Sequence, residues 1–599
     1  TFATKKEKED CVELLNQYFT SKNEIEKDRL LDEALKLDST NTNALIQKGM
    51  KLIASRDKME EYFGYVMLEK AFYMKPPIPI HCYQGKWLAT MIGRYNHLLH
   101  KYKTAEKFFT FAKSSNFDPL DDINNIQLAT CISSYPYSVE DASNRIKQYN
   151  ESMDELLTKN IQISFIPNSA YNFLMLSPFN FECYYEADLK MCMYKHYLLS
   201  NKLYPYLNYI SPKIKKDPPS SPYKLGIASA FFSENHPVLA DFGGVIQKLP
   251  RDKFDITFIY IHENVNRSEN VVEFVYPNEK YIIIYAEDYK NEDWLYNARQ
   301  KIEDLQLDLL FYLDSTMSSV LQRIMMSKLA PKQVVSHGHP VTSGIPSNIM
   351  NYYISWGEAE IETAQDHYTE NLILLRKGYM HQYYKPRIDS EGNSVISKKP
   401  YNHINRKYFE KYGLSEDGNW YVCMQKPFKL HPEFDEFILK IVERDEYAKV
   451  ILHKPDHDEI VDIFKNRLQK CIHKIYFIPF LSHHELIGLY NVSDVILDSY
   501  YAGGCTTTRE ALEIGAPVVT LPGKYLGGRW SLAYYNIMGV LDLVAKDKDD
   551  YVEIALKYGT NKDENLIMRE KILQNIHKIF YSEEAVVSWV HVLEEILQT

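Results

Sequence analysis

The sequence predicts two doubly wound α/β domains in tandem behind an all-helical segment. Three observations carry this. From residue 224 onward short apolar runs alternate with helical stretches, the pattern of mainly parallel sheets covered by helices. Upstream of about residue 210 only helical periodicity is present. Between the two lies 211–222, SPKIKKDPPSSP, whose prolines exclude a helix or a central strand. The expected organisation is a helical domain over 1–210, a linker over 211–222 and a Rossmann-like domain over 223–386. A polar, irregular linker over 387–407 and a second Rossmann-like domain with closing helices over 408–599 complete it.

In the helical segment, 28–44 (DRLLDEALKLDSTNTNA) and 101–119 (KYKTAEKFFTFAKSSNFDP) share a pattern. Each is an amphipathic helix with small residues on one face, then an Asp-containing turn. This resembles the second helix and exit turn of tetratricopeptide repeats, in degenerate form and with irregular spacing. Residues 83–99 form the helix before the second unit, with Trp87 as a packing residue. Two readings stand: a groove for polypeptide acceptors or partners, or a helical buttress. So few units make only a short groove, which favours the buttress.

The first set of strands is expected at 224–230, 254–261, 307–313 and 333–336, and the second at 420–424, 449–453, 474–478, 495–497 and 518–520. Such sheets bind ligands beyond the carboxyl ends of their strands. Four polar loops follow predicted strands: 232–241 (FSENHPVLAD), 314–319 (DSTMSS), 337–344 (HGHPVTSG) and 425–432 (QKPFKLHP). All are expected to open on one interdomain cleft. The helical close, 548–599, is placed to pack back on the first sheet.

The most informative stretch is 498–523, DSYYAGGCTTTREALEIGAPVVTLPG, which reads as strand end, glycine turn, helix, strand. Gly503 and Gly504 allow a sharp turn and close approach to a ligand. Thr506, Thr507 and Thr508 open a helix whose first N–H groups lack partners within it, which with the helix dipole favours a phosphate. Glu510 lies where it can accept hydrogen bonds from a ribose. The alternative is an ordinary tight turn, common in α/β folds.

Composition excludes several classes. The chain of 599 residues is 45% hydrophobic and 25% charged, with a net charge of −11, which argues against a general nucleic-acid binder. Its 47 tyrosines read as coding bias. The eight cysteines form no CxxC pair, so neither a zinc site nor a disulfide frame is indicated, and a reducing compartment is the simplest reading. The charged start, KKEKED, lacks a signal-peptide core, and no apolar run is long enough for a membrane span. A cytoplasmic or nucleocytoplasmic location is expected.

Three blocks then become specific together: APKQVVSHGHPVTSG at 330–344, the Gln425 to Lys429 loop, and 498–523. In this order, across roughly 220–599, they resemble the nucleotide-sugar glycosyltransferases of the O-GlcNAc transferase family. They are also similar to bacterial relatives that put glucose on asparagine. The resemblance implies a GT-B core of two Rossmann-like domains behind tetratricopeptide-like helices, a UDP-sugar donor and a protein or peptide acceptor.

The resemblance also implies roles. Lys429 matches the lysine on the donor diphosphate, where a cation neutralises charge on the departing UDP. Gln425 matches a glutamine beside it, and the extra residue between them leaves Lys426 as a rival. Gly504, Thr506 and Thr507 match the phosphate contacts, with Cys505 where the family often has His. Glu510 matches an acidic residue on the ribose. The backbone of Phe480 and Leu481 matches the uracil contact, while the family's stacking histidine is replaced by Leu486, with His483 and His484 nearby. His236 and His339 match histidines beside the acceptor or the donor sugar, where a neutral imidazole takes a proton. For each the alternative is a histidine that only bonds its loop. His339-Pro340-Val341 looks closer to the asparagine branch, and Thr342-Ser343-Gly344 to the O-GlcNAc branch.

Asp456-His457-Asp458 has the Asp-x-Asp spacing of metal-dependent transferases but lies in a polar stretch away from these blocks, as a solvated helix start would. Neither a metal nor a cofactor is expected, since Lys429 and the helix dipole take the metal's place. The leading expectation is an inverting, metal-independent transferase moving a sugar, GlcNAc by preference, from UDP to Ser or Thr of a protein. The alternatives are UDP-glucose transfer to Asn, a catalytically weak UDP-binding scaffold, and a GT-B enzyme acting on a small molecule or glycan. Lys429, Gln425 and the threonine loop favour an enzyme; Cys505 favours the scaffold.

Overall fold

The computed structural model describes residues 3–54, 58–74, 83–98, 101–113, 119–161, 187–232, 236–262, 279–286 and 293–599. The chain divides into two compact units, Thr1–Ser133 with Ser152–Leu176, and Ser134–Glu151 with Ser177–Thr599. The second unit thus takes in part of the segment expected as the helical domain.

The first unit is built of consecutive helices, among them Glu24–Leu37, Thr42–Ala54, Lys58–Tyr73, Tyr83–Leu98 and Tyr102–Ala112. The expected Asp turn after Glu24–Leu37 is made by Asp38, whose Oδ1 accepts from Thr40 N at 3.0 Å and Thr40 Oγ1 at 2.6 Å. The second expected turn, near residue 118, lies outside the described residues. Small residues set how closely helices pair. A Cβ on Gly64 would lie 2.7 Å from Gly49 O, and one on Gly93 would lie 2.7 Å from the Phe109 ring. Trp87 packs, partly buried, against this core.

The second unit holds two sheets. Strands β1 (Tyr223–Ser229), β2 (Phe254–His262), β3 (Lys280–Tyr285), β4 (Leu309–Tyr312), β5 (Lys332–Val335), β6 (Tyr352–Trp356) and β7 (Asn371–Leu375) form a seven-stranded sheet in the order β3-β2-β1-β4-β5-β6-β7. Strands β8 (Asn419–Cys423), β9 (Ala448–His453), β10 (Ile475–Ile478), β11 (Val495–Leu497) and β12 (Val518–Val519) form a five-stranded sheet in the order β10-β9-β8-β11-β12. Every pairing is parallel. Central strands are apolar on both faces, as helices on both sides require: all four residues of β4 and all six of β9 are buried. Ile227 of β1 sits between Phe258 and Phe311.

All nine expected strands are present; the sequence reading missed β3, β6 and β7. In each sheet the strand order reverses beside its first strand, between β1 and β4 and between β8 and β11. Those switch points open crevices at the strand carboxyl ends. The loops singled out above leave these strand ends.

One expectation needs correction. Of the closing helices, Glu583–Gln598 covers the first sheet, with Trp589, Val592, Leu593 and Ile596 in its core and Trp589 Nε1 donating to His381 O at 2.7 Å. Helix Lys548–Thr560 instead lies on the second sheet, because its apolar face of Tyr551, Val552 and Ala555 packs beside β8 and β11. Among the described residues no helix is long and apolar enough to cross a membrane.

Candidate functional site

The site grows from the end of β11. Asp498 is buried, and burial pushes its carboxyl up. Bonds hold it in place: Oδ1 accepts from Gly504 N at 2.7 Å, and Oδ2 accepts from Thr520 Oγ1 at 2.9 Å and Ser531 Oγ at 2.6 Å. The chain therefore folds back over Asp498. Glycine at 504 lets these side chains close in, since a Cβ there would lie 2.5 Å from Thr507 Oγ1 and 2.6 Å from Gln425 Nε2 and would push them out of place. Cys505 then occupies the N-cap position of helix Thr506–Glu513 without a side-chain capping bond. The helix entrance is thus left to an outside acceptor.

Gln425 and Lys429 come to this entrance from the loop after β8. Gln425 Nε2 donates to Thr507 Oγ1 at 2.7 Å, and Lys429 Nζ donates to Gln425 Oε1 at 3.3 Å and to Gly503 O at 3.4 Å. On the other threonine, Arg509 Nη2 donates to Thr506 Oγ1 at 3.2 Å. Both hydroxyl oxygens act as acceptors within the protein, which leaves each hydroxyl proton available to a further acceptor. Lys426, the rival, is exposed, with its ammonium 5.3 Å from the centre of the Phe480 ring. The one-residue insertion therefore leaves Lys429, and not Lys426, at the helix entrance.

On the flank, the Phe480 side chain is 74% exposed and Leu481 is buried. Glu510 is buried and already engaged: His483 Nε2 lies 3.1 Å from its Oε1, and Arg387 Nε lies 3.8 Å away. The ring of His483 also contacts Ser394 Oγ through Nδ1. The Cys505 thiol lies 3.2 Å from Tyr534 OH, and burial pushes it up to about 12, so it stays protonated and unreactive at neutral pH.

The facing loop, 337–344, is fixed by a carboxylate the sequence reading did not single out. Glu370 is fully buried and accepts from Thr342 Oγ1 at 2.6 Å and Ser343 N at 2.8 Å. That anchor holds His339, whose Nδ1 lies 3.2 Å from Thr316 Oγ1. Burial, and then the charge of Lys429, push the His339 imidazole down to about 4. Lys429 is thus within electrostatic reach of the His339 ring. His236 caps helix Pro237–Lys248, its Nδ1 accepting from Val238 N at 3.3 Å, and it stacks on Phe231 with ring centres 4.4 Å apart. A neutral His236 bonded this way carries its proton on Nε2. Ser233, Glu234 and Asn235 of its loop lie outside the described residues.

The structure thus brings together Gln425, Lys429, Gly504, Thr506 and Thr507 at one helix entrance and sets His339 opposite. Asp456 and Asp458 are exposed, Asp458 in the first turn of helix Asp458–Arg467. Among the described residues no group of three or more His, Cys, Asp or Glu is placed to hold a metal. Asp498, Glu370 and Arg509 were missed, although D-x₅-G, the spacing from Asp498 to Gly504, was readable as a carboxylate bonding back to its own turn.

Comparison with known proteins bears on this arrangement. Residues 394–583 match the profile of glycosyl transferase family 41. The probable UDP-N-acetylglucosamine–peptide N-acetylglucosaminyltransferase SPINDLY of Petunia hybrida is 23% identical over 266 residues, covering 43% of this chain and 26% of that protein. The UDP-N-acetylglucosamine–peptide N-acetylglucosaminyltransferase of Caenorhabditis elegans is 27% identical over 164 residues, covering 27% of this chain and 14% of that one. The match therefore spans about a quarter of the first relative's length and less of the second's. A solved structure of a mutant Thermobaculum terrenum O-GlcNAc transferase superposes with a TM-score of 0.64, over 93% of this chain and 98% of that one, at 16% identity. That likeness is one of fold, the GT-B pair of Rossmann-like lobes with helices before them. The family 41 match runs through both Phe480 and the Thr506 helix entrance, so the part of the chain that carries the candidate site is similar to that family.

Proposed function

We propose that this protein is an inverting, metal-independent transferase that moves a sugar, GlcNAc by preference, from a UDP donor to serine or threonine side chains of a protein acceptor. The observation that carries the reading is the Lys429 ammonium at the uncapped entrance of Thr506–Glu513, joined to it through Gln425 and Thr507. The donor diphosphate takes the first-turn N–H groups, the two threonine hydroxyls and Lys429. The acceptor hydroxyl attacks the anomeric carbon from the face opposite the diphosphate. The new C–O bond forms as the bond to UDP breaks, and the electron pair leaves on a phosphate oxygen beside Lys429. The acceptor proton passes to a ring nitrogen of His339.

His339 is neutral at pH 7, as a base must be, but its depressed pKa makes it a weak one. The donor relieves the smaller part of this. Its phosphates offset the Lys429 charge, one of the two causes of the depression, so the imidazole gains basicity once the donor is bound. His236 serves as a hydrogen-bond donor in this reading.

Glucose transfer to asparagine is the second reading, supported by the likeness of His339-Pro340-Val341 to that branch. The test is a panel of UDP-sugars with a peptide library, the modified residue and sugar identified by mass spectrometry. Transfer to Ser or Thr from UDP-GlcNAc supports the proposal, glucose on Asn supports the second reading, and UDP binding without transfer returns the protein to a scaffold. The proposal also places the protein in the cytoplasm or nucleocytoplasm, in keeping with the unpaired thiols of Cys192, Cys423, Cys471 and Cys505.

A further inference from the structure

Arg509 belongs to the second lobe's phosphate helix, yet most of its partners lie in the first lobe. Its side chain is fully buried. Nη2 donates to Asp241 Oδ1 at 2.7 Å as well as to Thr506 Oγ1 at 3.2 Å. Nη1 donates to Gln382 Oε1, and the guanidinium lies 4.0 Å from the centre of the Tyr384 ring. Asp241 sits on the helix that His236 caps. Three residues on, Gly244 presses that helix against the segment carrying Gln382, since a Cβ there would lie 2.1 Å from Tyr383 O. Asp241 and Gln382 thus form a rigid socket for the guanidinium.

The two threonines at the helix entrance are therefore oriented from opposite sides. Thr507 is set by Gln425 of its own lobe, and Thr506 by an arginine whose position the first lobe decides. A hydroxyl that accepts from Arg509 directs its own proton away from it, toward the open helix entrance. We propose that Arg509, docked on Asp241 and Gln382, is a positioning residue through which the first lobe turns the Thr506 hydroxyl toward the donor diphosphate, so that lobe register and diphosphate affinity are coupled. The proposal rests on the diphosphate reading given above.

The test compares UDP with uridine, which lacks phosphates, by titration calorimetry. Arg509→Lys keeps the charge but cannot span Asp241, Gln382 and Thr506 at once. It is expected to weaken UDP about tenfold, the loss of one hydrogen bond to a charged group, and to leave uridine affinity unchanged. Thr506→Val is expected to do the same, and the Arg509→Lys/Thr506→Val pair to bind UDP no more weakly than Thr506→Val alone. The pair Asp241→Leu/Arg509→Met removes both charges together, so no ion is left buried alone, and it should match Arg509→Lys. Losses that multiply in the Arg509→Lys/Thr506→Val pair overturn the proposal. So does an Arg509→Lys protein that binds UDP like the parent, or one that loses uridine and UDP equally, since a merely structural role would weaken both. If Thr506→Val and Thr507→Val each bind UDP like the parent, the diphosphate reading itself falls, and the relay with it.

Discussion

Lys429→Ala asks most of the proposed chemistry. The ammonium is half-buried and held by Gln425 Oε1 and Gly503 O, so it is fixed before any substrate arrives. A unit charge about 4 Å from a phosphate oxygen, at an effective dielectric near 20, contributes about 4 kcal/mol. Much of that is already present in the ground state, because the donor diphosphate is itself charged. Only the charge gained as the sugar bond breaks counts toward rate. For between half and one unit of new charge, the difference is about 2–4 kcal/mol, or about 30- to 1,000-fold in kcat. The assay is the initial rate of transfer against donor concentration at saturating acceptor. The expected result is a large fall in kcat with a smaller change in KM. A raised KM with unchanged kcat would mean that Lys429 binds ground and transition states alike, and the leaving-group argument would fail. Lys426→Ala checks the assignment across the loop and should stay within about threefold of the parent, as an exposed surface charge does. If that variant loses turnover and Lys429→Ala does not, the two lysines have been exchanged. If neither matters while UDP still binds, the scaffold reading gains.

Three further outcomes follow from the same geometry. UDP at saturating excess should stabilise the protein by about 2–4 kcal/mol in thermal denaturation, with EDTA making no difference; a shift that appears only with Mn²⁺ would revive Asp456 and Asp458. Replacing both Thr506 and Thr507 by valine should cost about 1.5–3 kcal/mol of UDP binding for each hydroxyl lost. Glu510→Gln should weaken UDP through the ribose, and parent-like binding by both variants would put the nucleotide elsewhere. Stability should fall as pH drops from about 6.5 towards 4, because burial holds His196, His337, His339 and His431 down to about 4 in the folded state. The unfolded chain then binds more protons through that window, so acid favours it. Glu513, pushed up to about 7 by burial, opposes this between about 4.5 and 7, and the carboxyls of Glu360, Glu370, Asp435 and Asp498, also held up by burial, oppose it at the acid end, but His367, His381, His453 and His484 are held down as well and add to the loss. A urea midpoint that is level, or higher at pH 4.5 than at 6.5, would contradict this balance.

The fold was legible where the physics is local. Buried parallel strands write themselves as apolar runs, so β1, β2, β4, β5 and β8 to β12 could be read directly. The misses have physical causes. β7, NLILL, is an edge strand whose pairing rests on β6 alone, and β3 is the opposite edge with largely unburied residues. β6, YYISW, is only five residues and lies between irregular stretches. At the site, the glycine turn and its threonines were visible because glycine geometry and helix entrances leave local marks. Glu370 was not, since it anchors Thr342 and Ser343 from 28 and 27 residues away. Arg509 looked like any charged helix residue. Its partner Asp241 is 268 residues distant, and only the folded lobes bring the two together.

The helix Glu583–Gln598 has a consequence for how the protein is made. It lays Trp589, Val592 and Leu593 on the first sheet, and its Glu583 pairs with Lys248, 335 residues earlier in the chain. At about 5–20 residues per second, the ribosome needs roughly 20–70 s to deliver that helix after the helix bearing Lys248 has been made. Throughout that interval the face of the first sheet around Phe242 and Phe311 is bare. The core of the first lobe is therefore complete only when a helix synthesised after the strands of the second sheet has arrived.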